Sequence, residues 1–379
     1  MSIQGSTNAA GSSSGLEGTL SRRALNRAAL ERQLLLRRAD LSAAEAIGRL
    51  VGLQAQEPNA PYIGLWARLS EFRQDALTQL LYDRQVVRAS VLRGTQHLVA
   101  AEDFLWLRPL VQPALDRGRQ AAFGRRTAGV DLAELAAVAR ALLAGRTLTR
   151  PQLRRLLAER WPDRDAEALA WSVQCLLPLI HRPPNGTWKR GGSTPFTLAE
   201  DWLGRPLGAP APEVMIRRYL AAFGPAAIND IQAWSGLTRL SEVVEQLRPQ
   251  LRTFHDEAGN QLFDLPDAPL PDPDTPAPPR FLPNFDNLMV AYADRTRIMT
   301  DQYRKRICIG AWVAATVLID GQVCGMWRIQ SNREAATLRI ELFETIAEPE
   351  RIALEEEGAR LLAFAAGDAQ ARSIQITQS

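Results

Sequence analysis

Two glutamines separated by one small residue, Gln54-Ala55-Gln56, lie within the string Leu53-Gln54-Ala55-Gln56-Glu57-Pro58-Asn59-Ala60-Pro61. On a regular helix each residue turns the chain by about 100°, so a spacing of two puts the side chains on different faces. In an extended segment, or at the end of a helix, both amides can converge on one spot. A carboxamide is no base at neutral pH, but it donates and accepts hydrogen bonds, and two of them can hold and orient a water. Such a device suffices only for a substrate already primed to break. A cationic N-alkylated base, whose leaving group departs neutral, is one. The competing account is structural, with both amides merely satisfying backbone groups at a helix end.

Other catalytic signatures are missing. The chain has no Walker loop, no GxSxG elbow and no HExxH. Its three histidines (His97, His181, His255) are far apart, and its three cysteines form no CxxC pair. Neither a metal site nor a disulfide framework is expected, and no cofactor is implied. Charge is distributed unevenly: residues 1–200 carry 27 Lys+Arg against 18 Asp+Glu, and residues 201–379 carry 18 against 24. Arginine supplies nearly all of the positive charge, since Lys189 and Lys305 are the only lysines. Arginine forks suit phosphates, so the basic N-terminal half points towards nucleic acid. Candidate DNA contacts are Lys189 and Arg190 beside Trp188, together with the cluster Arg295, Arg297, Arg304, Lys305 and Arg306. That cluster belongs either to a hairpin reaching DNA or to a solvated turn.

The elements that must position these residues are mainly helical at first. Of the 379 residues, 46% are hydrophobic and 23% charged, as in an ordinary globular chain. No apolar run approaches the roughly 18–20 residues of a membrane span. Residues 1–20 read as a disordered tail without a secretory signal, and the three cysteines with no CxxC pair suit a reducing cytoplasm. The expectation is a cytoplasmic, nucleoid-associated monomer. Ser21 caps a first helix, and Ser42 with Glu45 forms a capping box opening a second, from Ala43 to about Leu53. A short helix, Asp75–Tyr82, precedes a hairpin of Val86–Leu92 and Gln96–Val99. Helices followed by a basic hairpin recur in residues 129–206, where Leu177–His181 and Thr187–Arg190 flank a Pro-Pro-Asn-Gly turn. A third pass follows in 207–265. The expectation is three winged-helix units (21–128, 129–206, 207–265) and a Pro-rich connector (266–283). A C-terminal β-barrel-like domain (284–379) with one covering helix, Pro349–Ala366, completes an α+β chain.

Several separated strings also carry a resemblance. They are Leu34–Arg38, Gly52–Pro58, Gly64–Leu69, Arg93–Val99, Phe281–Asn287, Val317–Gly321 and Gly325–Arg328. In this order they resemble the AlkZ/YcaQ family of tandem winged-helix DNA glycosylases, over essentially the whole chain from residue 20. The resemblance implies a C-shaped body around double-stranded DNA and excision of N7-alkylguanine adducts at a solvent-open site. The AlkZ branch has Gln-aliphatic-Gln where the YcaQ branch has Asp in the second position. Gln54 and Gln56 match the former, so the resemblance implies that they are catalytic. Arg93, Thr95 and His97, in another matching string, are candidates for phosphate contact, although a lone strand histidine is often a core residue. The alternative is a non-enzymatic winged-helix regulator, which explains the basic half but leaves the paired glutamines idle.

Overall fold

The computed structural model describes residues 16–332 and 334–378. Ser21 caps the helix Arg22–Arg32 by accepting from the Ala24 N–H, and the Ser42/Glu45 capping box opens Ala43–Arg49. This second helix stops four residues earlier than its periodicity suggests. Val51 (φ 57°) and Gly52 (φ 99°) take left-handed conformations there and feed the chain into a short strand, Leu53–Gln54. Gly52 is required at this place. A Cβ would lie 2.6 Å from Val99 Cγ1 and 2.7 Å from the Leu98 carbonyl oxygen, on top of the unfavourable φ.

The wings of the first two units form one sheet. Its six strands run in the order Leu53–Gln54, Gln96–Ala100, Val86–Ser90, Leu179–His181, Pro195–Leu198 and Leu148–Thr149, every pair antiparallel. Arg88 pairs with His181 and Ala89 with Ile180 across the join. The second wing differs from expectation, because Thr187–Arg190 is a turn and the returning strand is Pro195–Leu198. A long loop therefore projects where a tight hairpin was expected. Helices at Ala101–Leu110 and Gln112–Phe123 connect the two units and were not anticipated.

In the third unit Arg252–Asp256 and Gln261–Asp264 pair antiparallel, and Leu16–Leu20 adds in parallel to the first of them. The last five residues of the expected tail are thus a strand. The rest of that tail, residues 1–15, lies outside the described residues. Arg32 forks onto Asp264 at 2.6 and 2.7 Å with both side chains fully buried, tying the first helix to this unit.

The C-terminal part is not a barrel. Five strands run in the order Arg280–Leu282, Thr316–Ile319, Gln322–Ser331, Ala335–Leu342 and Ala371–Gln378, and the first and last do not pair. The final pair is parallel, Ala371–Gln378 beside Ala335–Leu342. The crossover between them carries the helix Glu348–Ala365, which covers one face and leaves an open sheet. Leu354, Leu361 and Leu362 are buried against that face, where Leu338 and Phe281 approach Gly358. Its first strand takes residues 280–282 out of the expected connector.

Candidate active site and nucleic-acid interface

The extended geometry that brings two amides together is the one observed. Gln54 ends its strand opposite His97, and Gln54 Nε2 donates to Gln56 Oε1 at 2.8 Å. Gln54 is buried and Gln56 exposed. Arg93 Nη2 donates to Gln54 Oε1 at 3.0 Å, and its Nη1 donates to the Trp234 carbonyl of the third unit. Because a guanidinium only donates, the atom facing it must be the amide oxygen, which turns the Gln54 NH2 towards Gln56. The chain Arg93–Gln54–Gln56 is therefore oriented throughout. Each amide oxygen keeps one unused lone pair, and Gln56 also keeps its NH2. Two carbonyl oxygens with spare lone pairs can accept both hydrogens of one water and leave its oxygen lone pair facing outward.

The support around this pair is rigid. Arg93 has a left-handed backbone (φ 54°), uncommon outside glycine and of the kind that collects at functional sites. Burial, with the nearby Arg295 charge adding to it, pushes the Arg93 guanidinium down to about 10, so it stays protonated at neutral pH. Asn287 grips the motif strand from behind: its Nδ2 donates to the Gly52 carbonyl at 2.6 Å, and its Oδ1 accepts from the Gln54 N–H at 3.3 Å. Ala55 is held on both sides, its N–H donating to the Gln96 carbonyl and its own carbonyl accepting from Arg88 Nε. Downstream, the helix Ala60–Arg68 is fixed by a buried bidentate pair, with Arg68 donating to both Asp286 oxygens at 2.8 Å. Glycosidic chemistry of the kind expected needs water held in line, and a doubly pinned strand provides that stiffness.

The other sequence candidates separate into two groups. His97 is 2% exposed, and its Nδ1–H donates to the Thr95 carbonyl at 3.0 Å. Burial and the Arg93 charge push its pKa to about 3, so it is neutral. Thr95 is half-buried and donates to the Leu92 carbonyl. Arg297 is buried, donating to the Pro225 carbonyl and lying over the Tyr292 ring. Arg295 is half-buried with contacts to the Tyr292 carbonyl and Cys308 Sγ. Arg306 pairs with Glu341 and lies over Phe343. Together with Arg93, these six residues act as supports. Lys189, Arg190, Arg304 and Lys305 are exposed. The Lys189 N–H donates to Asn59 Oδ1 at 2.7 Å, which brings the second wing against the loop after the motif, while its ammonium turns to Asp368.

The basic cluster is followed directly by a small hairpin, Cys308–Ile309 paired with Trp312–Val313. Ile309 and Trp312 stand out from it at 67% and 45% exposure. Its base is tied to the segment that holds the motif, because the Phe285 N–H donates to the Val313 carbonyl and Trp312 meets Phe285 edge to face. A groove of about 780 Å³ opens beside the motif. Glu57 and Asn59 form one rim, Trp188 and Lys189 another, and the uncovered face of the five-stranded sheet makes the floor. Sequence reasoning missed the roles of Gly52, Asn287 and Trp234. The first two lie in strings that carried the resemblance, but nothing local indicated that Asn287 reaches a strand 233 residues earlier.

A profile of the DNA glycosylase AlkZ-like family matches residues 47–364, which include Gln54, Gln56 and the groove-lining residues from Glu57 to Glu341. The chain belongs to this family. An interstrand DNA cross-link repair glycosylase of Streptomyces sahachiroi is 26% identical over 339 residues, covering 81% of this AlkZ-like chain and 88% of the relative. The solved structure of the Streptomyces sahachiroi DNA glycosylase AlkZ superposes with a TM-score of 0.76 at 23% identity. That match spans 95% of the AlkZ-like chain and 100% of the other, and it establishes likeness of fold. Winged-helix DNA binding and glycosylase chemistry are thereby shown at the level of the family. Among the described residues no helix is long and apolar enough to cross a membrane.

Proposed function

We propose that this AlkZ-like protein is a monofunctional DNA glycosylase acting on cationic N7-alkylguanine in duplex DNA, with Gln54 and Gln56 as catalytic residues. The observation carrying the reading is the oriented amide pair, bonded at 2.8 Å and anchored on a protonated arginine, with its outer member exposed. The two amide oxygens accept the hydrogens of a water and aim its oxygen at C1′. The C1′–N9 bond breaks, and its electron pair leaves with the base and neutralises the positive guanine. The water oxygen bonds to C1′ and releases one proton to solvent, leaving an abasic site. No general base is required, because the substrate's own charge activates the leaving group.

Lys189, Arg190, Arg304 and Lys305 grip phosphates, and the exposed Ile309/Trp312 hairpin presents an apolar wedge of the kind that enters a groove. The open surface around Gln56 suits bulky lesions, and the relative's description extends the reading to guanines joined in an interstrand cross-link. Incubation with a duplex bearing N7-methylguanine, followed by alkali, gives strand breaks at the lesion. Borohydride gives no trapped covalent complex, as expected when Lys189 faces Asp368 and forms no Schiff base. Intact duplex binding without base release from any N7-alkylguanine substrate would instead support the regulator.

A further inference from the structure

The floor of the groove carries a pair of like charges with no counter-charge. In the register of the five-stranded sheet Arg328 stands directly opposite Arg339, and Arg339 stands opposite the neutral Gln375. Strand alternation puts all three on the face that the helix Glu348–Ala365 does not cover. Both arginines are exposed, and among the described residues neither makes an ion pair or a side-chain hydrogen bond. Like charges directly opposite one another in a sheet destabilise it, and cross-strand Cβ atoms lie only about 4.5–5.5 Å apart. Of the acids lining the groove, Glu341 is engaged by Arg306 at 3.0 Å, and Glu57 stands across the space on the rim beside the motif.

We infer that Arg328 and Arg339 form a binding site for one phosphodiester of the DNA strand that passes the lesion. A phosphodiester has two non-bridging oxygens and a single negative charge. Each oxygen takes the fork of one arginine, and the anion removes the repulsion that the sheet otherwise carries. DNA is named as the source because the groove runs from these arginines to Glu57 and Asn59, the residues that follow Gln56. Bound there, the strand is fixed at one point relative to the amide pair. The site rests on the glycosylase reading for the identity of its ligand. Its residues are distinct from the amides that perform the chemistry, and they set register along the strand.

The test is a scan with methylphosphonate linkages, each neutralising one phosphate within about one helical turn of an N7-methylguanine, with binding of the full-length protein measured by titration. The wild-type protein is expected to lose about tenfold in affinity at one or two linkages. The Arg328→Gln/Arg339→Gln variant is expected to be weaker on unmodified DNA and to show no further loss at those same linkages. The slope of log affinity against log salt should fall by about 1 in the variant. An identical linkage profile in wild type and variant overturns the site, as does competition by inorganic phosphate that protects both proteins equally. Because the scan reads binding, absence of base release by the wild type would sink the catalytic reading and leave this test decisive on its own terms.

Discussion

Gln54→Ala and Gln56→Ala are expected to damage catalysis alike and stability unequally. Gln56 is exposed, so water replaces what its amide gives up to Gln54. Its removal should cost no more than about 0.5–1.5 kcal/mol, the usual net worth of a neutral hydrogen bond. Gln54 is buried and supplies the acceptor for a protonated, half-buried arginine. Removing it strands an N–H of a charged group, which costs about 1.5–3 kcal/mol. Catalysis follows a different order, because both amides are needed to hold one water. Each single variant should lower single-turnover base release by about 10- to 1,000-fold. The double variant should be worse but short of the product of the two, as for groups acting as a unit. The assay pairs single-turnover release from an N7-methylguanine duplex with urea unfolding of the same preparations. Gln56→Ala with near wild-type stability and a wild-type rate would refute the water-holding account, because among the described residues the one side-chain hydrogen bond of that amide is the bond from Gln54.

Other perturbations test the supports. Arg93→Met frees the Gln54 amide to rotate and should lower the rate by at least tenfold, measured at saturating DNA, with Arg93→Lys recovering part of it. Asn287→Ala loosens the motif strand at both Gly52 and Gln54 and should depress release in the same assay while the urea midpoint changes modestly. Gly52→Ala adds left-handed strain of about 1–3 kcal/mol and overpacking of similar size against Val99, so it should destabilise by about 2–6 kcal/mol in urea unfolding. The rate should be flat between pH 6 and 8.5, since neutral amides do not titrate there, and a bell-shaped profile would contradict the mechanism. Stability behaves differently. His97 and His181 are held neutral with pKa values below the ordinary 6.5, so the unfolded chain binds protons that the folded chain refuses. Their contribution to stability is complete above pH 6.5 and is lost as pH falls below it. The limiting slope is about 1.4 kcal/mol per pH unit for each histidine, read from urea midpoints between pH 7 and 5.

Legibility followed the range over which each feature is determined. Capping residues are local, so the starts of Arg22–Arg32 and Ala43–Arg49 could be read directly. The Gln-x-Gln spacing implied convergence only in an extended segment, and the early stop at Val51-Gly52 provides one. The open C-terminal sheet was not readable, because alternating strands look alike whether or not the ends of the sheet meet. The decisive strand, Ala371–Gln378, returns in parallel through a helix rather than across a turn. The fused six-stranded sheet escaped for a similar reason, its join being a pairing between residues 88–89 and 180–181 with no local signal. From its neighbours alone His97 reads as a phosphate ligand or, more commonly for a lone strand histidine, as a core or surface residue. Only its register opposite Gln54 places it in the wall behind the amides.

The tie between the first helix and the third unit bears on how the chain is made. A ribosome adds about 5–20 residues per second and domains tend to fold as they emerge, N-terminal first. Here the earliest elements cannot finish early. Leu16–Leu20 has no partner until Arg252–Asp256 is synthesised, and Arg32 waits for Asp264, more than 230 residues and about 12–50 s later. The motif strand waits about as long, for Asn287. Fragments released before that point would carry both glutamines without the geometry that orients them, so a prematurely terminated chain could bind DNA through its wings while leaving every glycosidic bond intact.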